Sequence, residues 1–348
     1  MKRHFISKDS QKFWSIESEG SSLIITSGDH SGEGQISQIF FESVEASERT
    51  AEWQIKQKTI EGYTESTNES VLKINKKKFS CGYEGSAEEL AKFILNDELL
   101  PQLKHLVIGN WGNAWDSGPD EIIKMIIDNS SKFAHLESLF VGDMDAEECE
   151  ISWIQHGDYS EMLKMLPNLR SFTMMGVPGN LGDDIDLPQM EEIEVICGGL
   201  PLHIVTQLKN AKLPNLKKLV LYMGVEDYGL ECSAVNMRVL ASKSLFPNLK
   251  HLGFPDSEEQ NELLAMIMES DILPQLEILD MASGCMTDEG GQLVLYNVDK
   301  FSHLKLLDIS FHYMTEKMME NLKELPFEID VSHPQDPHGE YMFPMIME

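Results

Sequence analysis

The sequence predicts an α/β chain: a solenoid of stacked strand–helix units preceded by a small α+β domain. Three observations carry that expectation. An apolar segment of the form LxxLxL, or a close apolar equivalent, returns eight times between Leu103 and Ile309. Helical stretches separate many of the copies. Residues 1–64 share neither feature and read instead as strands followed by one long helix.

The copies are "LPQLKHLVIGN", "FAHLESLFVGD", "LPNLRSFTMMG", "LPQMEEIEVIC", "LPNLKKLVLYM", "FPNLKHLGFPD", "LPQLEILDMAS" and "FSHLKLLDISF", and a worn ninth, "LPFEIDVSH", closes the series. Their anchors, Leu103, Leu136, Leu169, Met190, Leu216, Leu249, Leu276 and Leu304, lie 21 to 33 residues apart. The pattern is similar to that of leucine-rich repeats. Within each copy the apolar positions after the anchor, such as Leu106 and Ile108, alternate with period two and so face one side of a short strand. "SAEELAKFILND", "GPDEIIKMIIDN", "SEEQNELLAMIMES", "TDEGGQLVLYN" and "TEKMMENLKEL" read as helices, several with Ser, Thr or Asp at the start. One strand and one helix cannot bury their own apolar faces, so the units must stack. The expected result is a parallel sheet on a concave side and helices on the convex side, with repeats long enough to resemble ribonuclease-inhibitor-like horseshoes. Residues 81–348 form this domain, with 81–100 as its first cap and "HPQDPHGEYMFPMIME" covering its last apolar edge. Met125, Met165, Met266 and Met318 fall where helices face the sheet, as core filling.

In residues 1–64, "KFWSIES", "SLIITSG" and "GQISQIFF" read as strands and "SVEASERTAEWQIKQKTIEGY" as a helix capped by Ser43 and stopped at Gly62. "KFWSIE", the G-x-G-Q after the turn, "FFESVEAS" and the closing K-x-x-E-G-Y at 58–63 resemble a WGR domain, a module that contacts DNA in some family members. On that resemblance the Trp-Gly-Arg signature falls on Ser27, Gly28 and Asp29. Ser offers no stacking surface, and Asp repels phosphate where Arg would hold it. A strand, not a helix N-terminus, follows the glycines of "SGDHSGEGQ", so the stretch reads as a turn in which Gly28, Gly32 and Gly34 supply backbone freedom. Residues 65–80, "ESTNESVLKINKKKFS", read as a polar linker in which only "VLKI" could add a strand. "GDMDAEECEISWIQHGDYSEMLKMLPNLR", "CGGLPLHIV", "LYMGVEDYG", "HLGFPDS" and "LDMASGCMTDEGG" are similar to a family of bacterial cytoplasmic leucine-rich-repeat proteins, some with an N-terminal WGR domain. That resemblance implies an architecture and transfers no catalytic residue.

Charge is unevenly spread. The chain has 28 Lys+Arg and 58 Asp+Glu, a formal net charge of −30, and residues 81–348 hold 17 basic and 46 acidic groups of that total. Such a surface disfavours nucleic acid and favours cationic partners. Cys81, Cys149, Cys197, Cys232 and Cys285 are odd in number and widely spaced, as reduced thiols of a cytoplasmic protein are. No apolar run approaches a membrane span or a signal-peptide core.

Sequence motifs for chemistry are weak. The cluster Asp143, Asp145, Glu147, Glu148 and Glu150 lacks the glycine and terminal glutamate of a calcium loop. "GDDID" at 182–186 reads the same way, and His333, Asp336 and His338 sit in a proline-flanked tail. GxSxG, HExxH, GxxxxGK[ST] and CxxC are missing. The expectation is a non-enzymatic chain with no cofactor and no metal.

The strand positions that point away from the core are where a solenoid binds its partner. Phe140, Met175, Glu192, Glu194, Tyr222, Asp280 and Asp308 are the candidate partner-binding residues, acids dominating the later repeats. Such a groove suits a basic protein or peptide. Trp14 and Trp53 read as core of the small domain, and Trp111 and Trp115, in "NWGNAWDSG", as exposed junction residues or a partner anchor. The alternative is a nucleic-acid or ADP-ribosylation-linked role through the WGR-like domain.

Overall fold

The computed structural model describes residues 2–8, 11–29, 33–66 and 73–346. Its strands are β1 (Lys2–Ile6), β2 (Lys12–Glu19), β3 (Ser22–Asp29), β4 (Glu33–Phe40), β5 (Thr64–Glu65), β6 (Lys73–Cys81), β7 (His105–Ile108) and β8 (Ser138–Val141). They continue as β9 (Ser171–Met175), β10 (Glu192–Ile196), β11 (Lys218–Leu221), β12 (His251–Gly253), β13 (Ile278–Asp280), β14 (Leu306–Asp308) and β15 (Ile329–Asp330). Helices α1 (Val44–Ile60), α2 (Ala87–Leu95), α3 (Asp120–Asp128), α4 (Ser130–Phe133), α5 (Ser160–Met165) and α6 (Leu202–Asn210) come first. After them come α7 (Ala234–Met237), α8 (Gln260–Met268), α9 (Asp288–Tyr296), α10 (Val298–Phe301) and α11 (Glu316–Lys323). No helix among the described residues is long and apolar enough to cross a membrane. The fold is α/β, with strands mostly parallel and no barrel closure. The chain divides into two compact units, residues 1–149 with 165–169, and residues 150–164 with 170–348.

In the first unit β5, β1, β2, β3 and β4 pair antiparallel in that order, and β6, β7 and β8 follow in parallel. Alternation decides which side chains go inside: Phe5, Trp14, Ile16 and Leu23 meet Ala51 and Ile55 of α1 in one core. The Ser43 side chain accepts from the Ala46 N–H, which starts α1, and Gly62 at φ +96° follows its end. Gly28 pairs with Gly34 across the antiparallel strands β3 and β4, so both ends of "SGDHSGEGQ" are strand. Residues 30–32 between them, Gly32 included, and residues 67–72 lie outside the described residues.

The second unit is a parallel run of β9 to β15 in chain order. Phe172, Ile193, Leu219, Leu252, Leu279 and Leu307 are aligned residue to residue and buried. At about 25 cal/mol per Å² of apolar surface, each such side chain contributes roughly 2 kcal/mol. The polar residue just before six of the eight anchors ties successive repeats together within each unit. Asn215 Nδ2 donates to Pro188 O at 2.7 Å and Asn248 Nδ2 to Pro214 O at 2.8 Å. Asn168 Nδ2 reaches Ala134 O, and His135 and His303 place Nε2 at 2.8 Å from Leu100 O and Leu273 O. The residue just after the anchor carries a charge ladder: Glu191 sits between Arg170 and Lys217, and Glu277 between Lys250 and Lys305. Those pairs are solvent-facing and help register more than stability.

Several expectations differ from the structure. Lys73–Ser80, expected as linker, forms with Cys81 the strand β6, paired with β4 on one side and β7 on the other. Its "KINKKKF" succeeds as a strand because Lys77, on the apolar side, is 4% exposed and meets Asp97 Oδ2 at 2.6 Å, with its ammonium 4.7 Å from the Phe79 ring centre. Trp53 is not core: it is 51% exposed, because α1 buries the face of Ser47, Ala51 and Ile55 instead. Met165 is exposed, whereas Met125, Met266 and Met318 are buried as expected. The tail does more than trail the last strand, since residues 343–346 return to loops of three earlier repeats.

Asp97→Ala strands the Lys77 ammonium in an apolar layer. Chemical denaturation should show a loss of about 3–5 kcal/mol. The double change Lys77→Met with Asp97→Leu should recover most of it. A loss below 1 kcal/mol for Asp97→Ala would contradict the role given to this pair.

Candidate functional site

The exposed side of the second unit's sheet is built by two rows of aligned residues. One runs Ser171, Glu192, Lys218, His251, Ile278, Leu306, and the other Thr173, Glu194, Val220, Gly253, Asp280, Asp308, Asp330. Residues of the first row precede a buried position, those of the second from Thr173 to Asp308 lie between two, and pleating turns both rows away from the helices. Gly253 leaves little room for a side chain: a Cβ there would come within 3.1 Å of both Val220 Cγ2 and Asp280 Cβ. Those neighbours close over the gap, and Val220 is buried although it faces outward.

The acids separate into two sets. Glu194 is neutralised by Lys218, whose Nζ lies 2.7 Å from its Oε2. Asp280, Asp308 and Asp330 have no Lys or Arg within ion-pair distance among the described residues. Each instead ends its strand with the same local bond, Oδ1 accepting the N–H two residues on: Ala282 at 3.1 Å, Ser310 at 2.9 Å and Ser332 at 2.8 Å. Adjacent parallel strands put these carboxylates about 5 Å apart at the backbone, so they repel. Burial, then the fields of Asp308 and Glu194, push the Asp280 carboxyl up to about 6. His251 cannot supply the missing charge: its Nε2 is 4.0 Å from Asp280 Oδ2, and burial and Lys218 push it down to about 4, so it is neutral at pH 7. Burial, with the fields of Asp280, Glu194, Asp256 and Asp308, pushes the Tyr222 phenol up, so it remains an O–H donor. The result is a row with negative charge concentrated at its later end and a half-buried tyrosine beside it.

The sequence-predicted residues fall in different places. Met175, Glu192, Glu194, Tyr222, Asp280 and Asp308 belong to the second unit, and Phe140, half-buried on β8, belongs to the first. Trp111 was expected as an exposed anchor and is 1% exposed instead, because the loop turns its indole inward, where Nε1 donates to Ser117 O at 2.9 Å. Trp115 is half-buried and stacks on the exposed Tyr83 ring at 4.8 Å. Sequence reasoning missed Asp256, fully buried and left-handed at φ +63°, although its place three residues beyond Gly253 repeats at Ser283, Phe311 and His333. Burial pushes Cys81, Cys232 and Cys285 up to about 12, 11 and 12, and Cys197 up as well, which leaves none of these four activated as a thiolate at neutral pH. Among the described residues no group of three or more His, Cys, Asp or Glu could hold a metal ion.

The first unit carries a feature of opposite sign. A cleft of about 790 Å³ is lined by Lys12, Lys58 and Lys76 with Asp29, and by Ser27 and Gly28 of the glycine-rich stretch. Lys58 already pairs with Glu61 at 2.6 Å. Lys12 and Lys76 are in no ion pair among the described residues.

The raised Asp280 fixes a pH dependence. A carboxyl whose folded value lies above its ordinary 3.8 adds stability below about pH 4 and loses it as pH rises through about 6. Asp280→Asn keeps an acceptor for the Ala282 N–H and carries no charge. At pH 7.5 it should be more stable than the parent, by up to about 3 kcal/mol, with no advantage at pH 4. Melting curves across that range test this, and equal stability at both pH values would show that the row is well solvated.

No protein-family model and no curated protein matches the chain. Among solved structures, a protein from Bacteroides fragilis determined by a structural genomics consortium is 42% identical, with a TM-score of 0.76 and coverage of 100% of both chains. With that identity over both full lengths, the chain belongs to the same family as this Bacteroides fragilis protein.

Proposed function

We propose that the chain is a non-enzymatic cytoplasmic interaction protein, a WGR-like domain followed by a leucine-rich-repeat solenoid, that docks a basic protein or peptide on the concave strand face. One observation carries the reading: Asp280, Asp308 and Asp330 stand aligned on neighbouring strands with no Lys or Arg within ion-pair distance among the described residues. A Lys or Arg side chain laid along the row relieves their repulsion, and Tyr222 supplies contact area and an O–H. Rigid parallel strands hold these groups in place before binding, so little ordering cost is incurred. The net charge of −30 adds long-range attraction for cationic partners.

Panning random peptides on the immobilised chain tests the class of partner. Selected sequences should be rich in Lys and Arg. Tyr222→Ala should weaken the best of them by about 1–3 kcal/mol with little change in melting temperature. Asp280→Asn with Asp308→Asn should slow association and flatten its salt dependence. Leu219→Asp buries an unpaired charge and should unfold neighbouring repeats, which supplies the control. Selection of neutral or acidic peptides, or binding indifferent to both aspartates, would contradict the reading.

The cleft lined by Lys12, Lys58 and Lys76 favours a second reading, a nucleic-acid or ADP-ribosylation-linked role for the WGR-like domain. Against it stand Ser27 and Asp29 at the signature positions and the large negative charge of residues 81–348. The full chain should therefore leave duplex DNA unshifted in a mobility assay at 0.15 M salt. A salt-sensitive, sub-micromolar shift that Lys12→Glu with Lys76→Glu removes would establish the second reading.

A further inference from the structure

Four residues in consecutive repeats of the second unit, Asp256, Ser283, Phe311 and His333, have φ of +63°, +64°, +57° and +56°. None is glycine, and each sits three residues beyond an aligned strand position. Left-handed backbone at ordinary residues collects where a chain forms a clamp for something else. What lies against three of these repeats is the chain's own end. The Phe343 N–H donates to Tyr313 Oη at 3.0 Å, and that hydroxyl donates to Phe343 O at 2.9 Å. The Met345 N–H donates to Ser283 O, and the Ile346 N–H to Asp256 Oδ1, both at 2.8 Å. The tail thus steps back one repeat at a time, bound through its main chain.

The fit is incomplete in two ways. Tyr341, Phe343 and Met345 are 68%, 46% and 61% exposed, a stripe of apolar side chains on the outer side of an extended segment whose Pro344 is buried. Asp256 is fully buried, and its Oδ2 has no hydrogen-bond partner among the described residues. An unpaired carboxylate oxygen at that depth is costly. Burial pushes the Asp256 carboxyl up to about 7 even with tail N–H groups beside it. A Lys or Arg on an incoming segment would provide the donor that the tail lacks.

We propose that the loops following β12, β13 and β14 form a groove for an extended peptide, that residues 341–346 fill it as an internal occupant, and that a partner segment bearing a lysine or arginine displaces them. Only the cationic side chain rests on the reading of a basic partner given above. Capture through main-chain donors makes the groove tolerant of side-chain sequence, and the cation at Asp256 selects among sequences. Displacement removes the apolar stripe from the repeats and releases it to the partner or to solvent.

A labelled peptide of residues 338–346 is the probe. It should bind the chain shortened after Glu340 at least about tenfold more tightly than the full chain, because a tethered tail competes at about millimolar effective concentration. The same peptide with Ile346→Lys should bind the shortened chain about fivefold more tightly again. On the full chain, saturating amounts of the Ile346→Lys peptide should speed hydrogen exchange at the Met345 and Ile346 amides about tenfold. If the shortened chain keeps its melting transition yet binds no peptide, or binds as the full chain does, the groove is refuted. If the shortened chain fails to fold, unchanged exchange in the full chain refutes it instead. An Ile346→Lys peptide that binds no more tightly refutes displacement by a cation. Own-tail binding that persists while Asp308→Asn and Tyr222→Ala leave basic peptides unaffected would sink the strand-face reading and leave the groove standing.

Discussion

A parallel strand without a neighbour leaves its main chain unpaired and its apolar side chain in water, and this constraint orders the repeats. The aligned row Phe172, Ile193, Leu219, Leu252, Leu279, Leu307 satisfies it by burying one residue per strand at the same height. Period two then forces the residues on either side of that row to face outward together. The aspartates at 280, 308 and 330 are therefore neighbours because the leucines are. Shifting one strand by a single residue would bury an aspartate and expose a leucine, so core and charged row are two consequences of one register.

Polar groups keep that register within each unit. The Asn, Gln or His before an anchor binds a carbonyl of the preceding repeat, as Asn215, Asn248 and Gln275 do. These bonds satisfy main-chain acceptors that short strands leave open. Glu191 and Glu277, each between two cations, are held below the usual carboxylate range. The acids just before β10 and β13 are thus paired, whereas the aspartates that end β13, β14 and β15 have no Lys or Arg within ion-pair distance among the described residues. The difference is purely one of which residue lies opposite.

Much of this was legible in the sequence. The leucine spacing located the repeat strands, helices such as α8 and α9 followed from their apolar periodicity, and Ser43 and Gly62 bounded α1. The unpaired aspartates were visible as acids at one repeat position. What sequence could not show depended on partners distant along the chain. "KINKKKF" looks solvated until Asp97, twenty residues away, meets Lys77. Glu194 looks as available as Asp308 until Lys218 is placed beside it. Trp111 looks exposed in a polar loop until Ser117 O takes its indole N–H. Asp256 reads as a loop acid, and only the folded chain brings Ile346 back to it across ninety positions.

The central claim is that the unpaired aspartate row receives the partner's cations, and carboxylate footprinting reads it most directly. Full chain, with and without a saturating selected basic peptide, would be labelled with a carbodiimide and an amine, and modification at each Asp and Glu quantified. The account predicts strong protection of Asp308 and Asp330 on binding, with no change at Asp183 or in the acidic loop of residues 143–150. Unchanged labelling of the aspartate row, with protection confined to that loop or to acids on the helices, would contradict it.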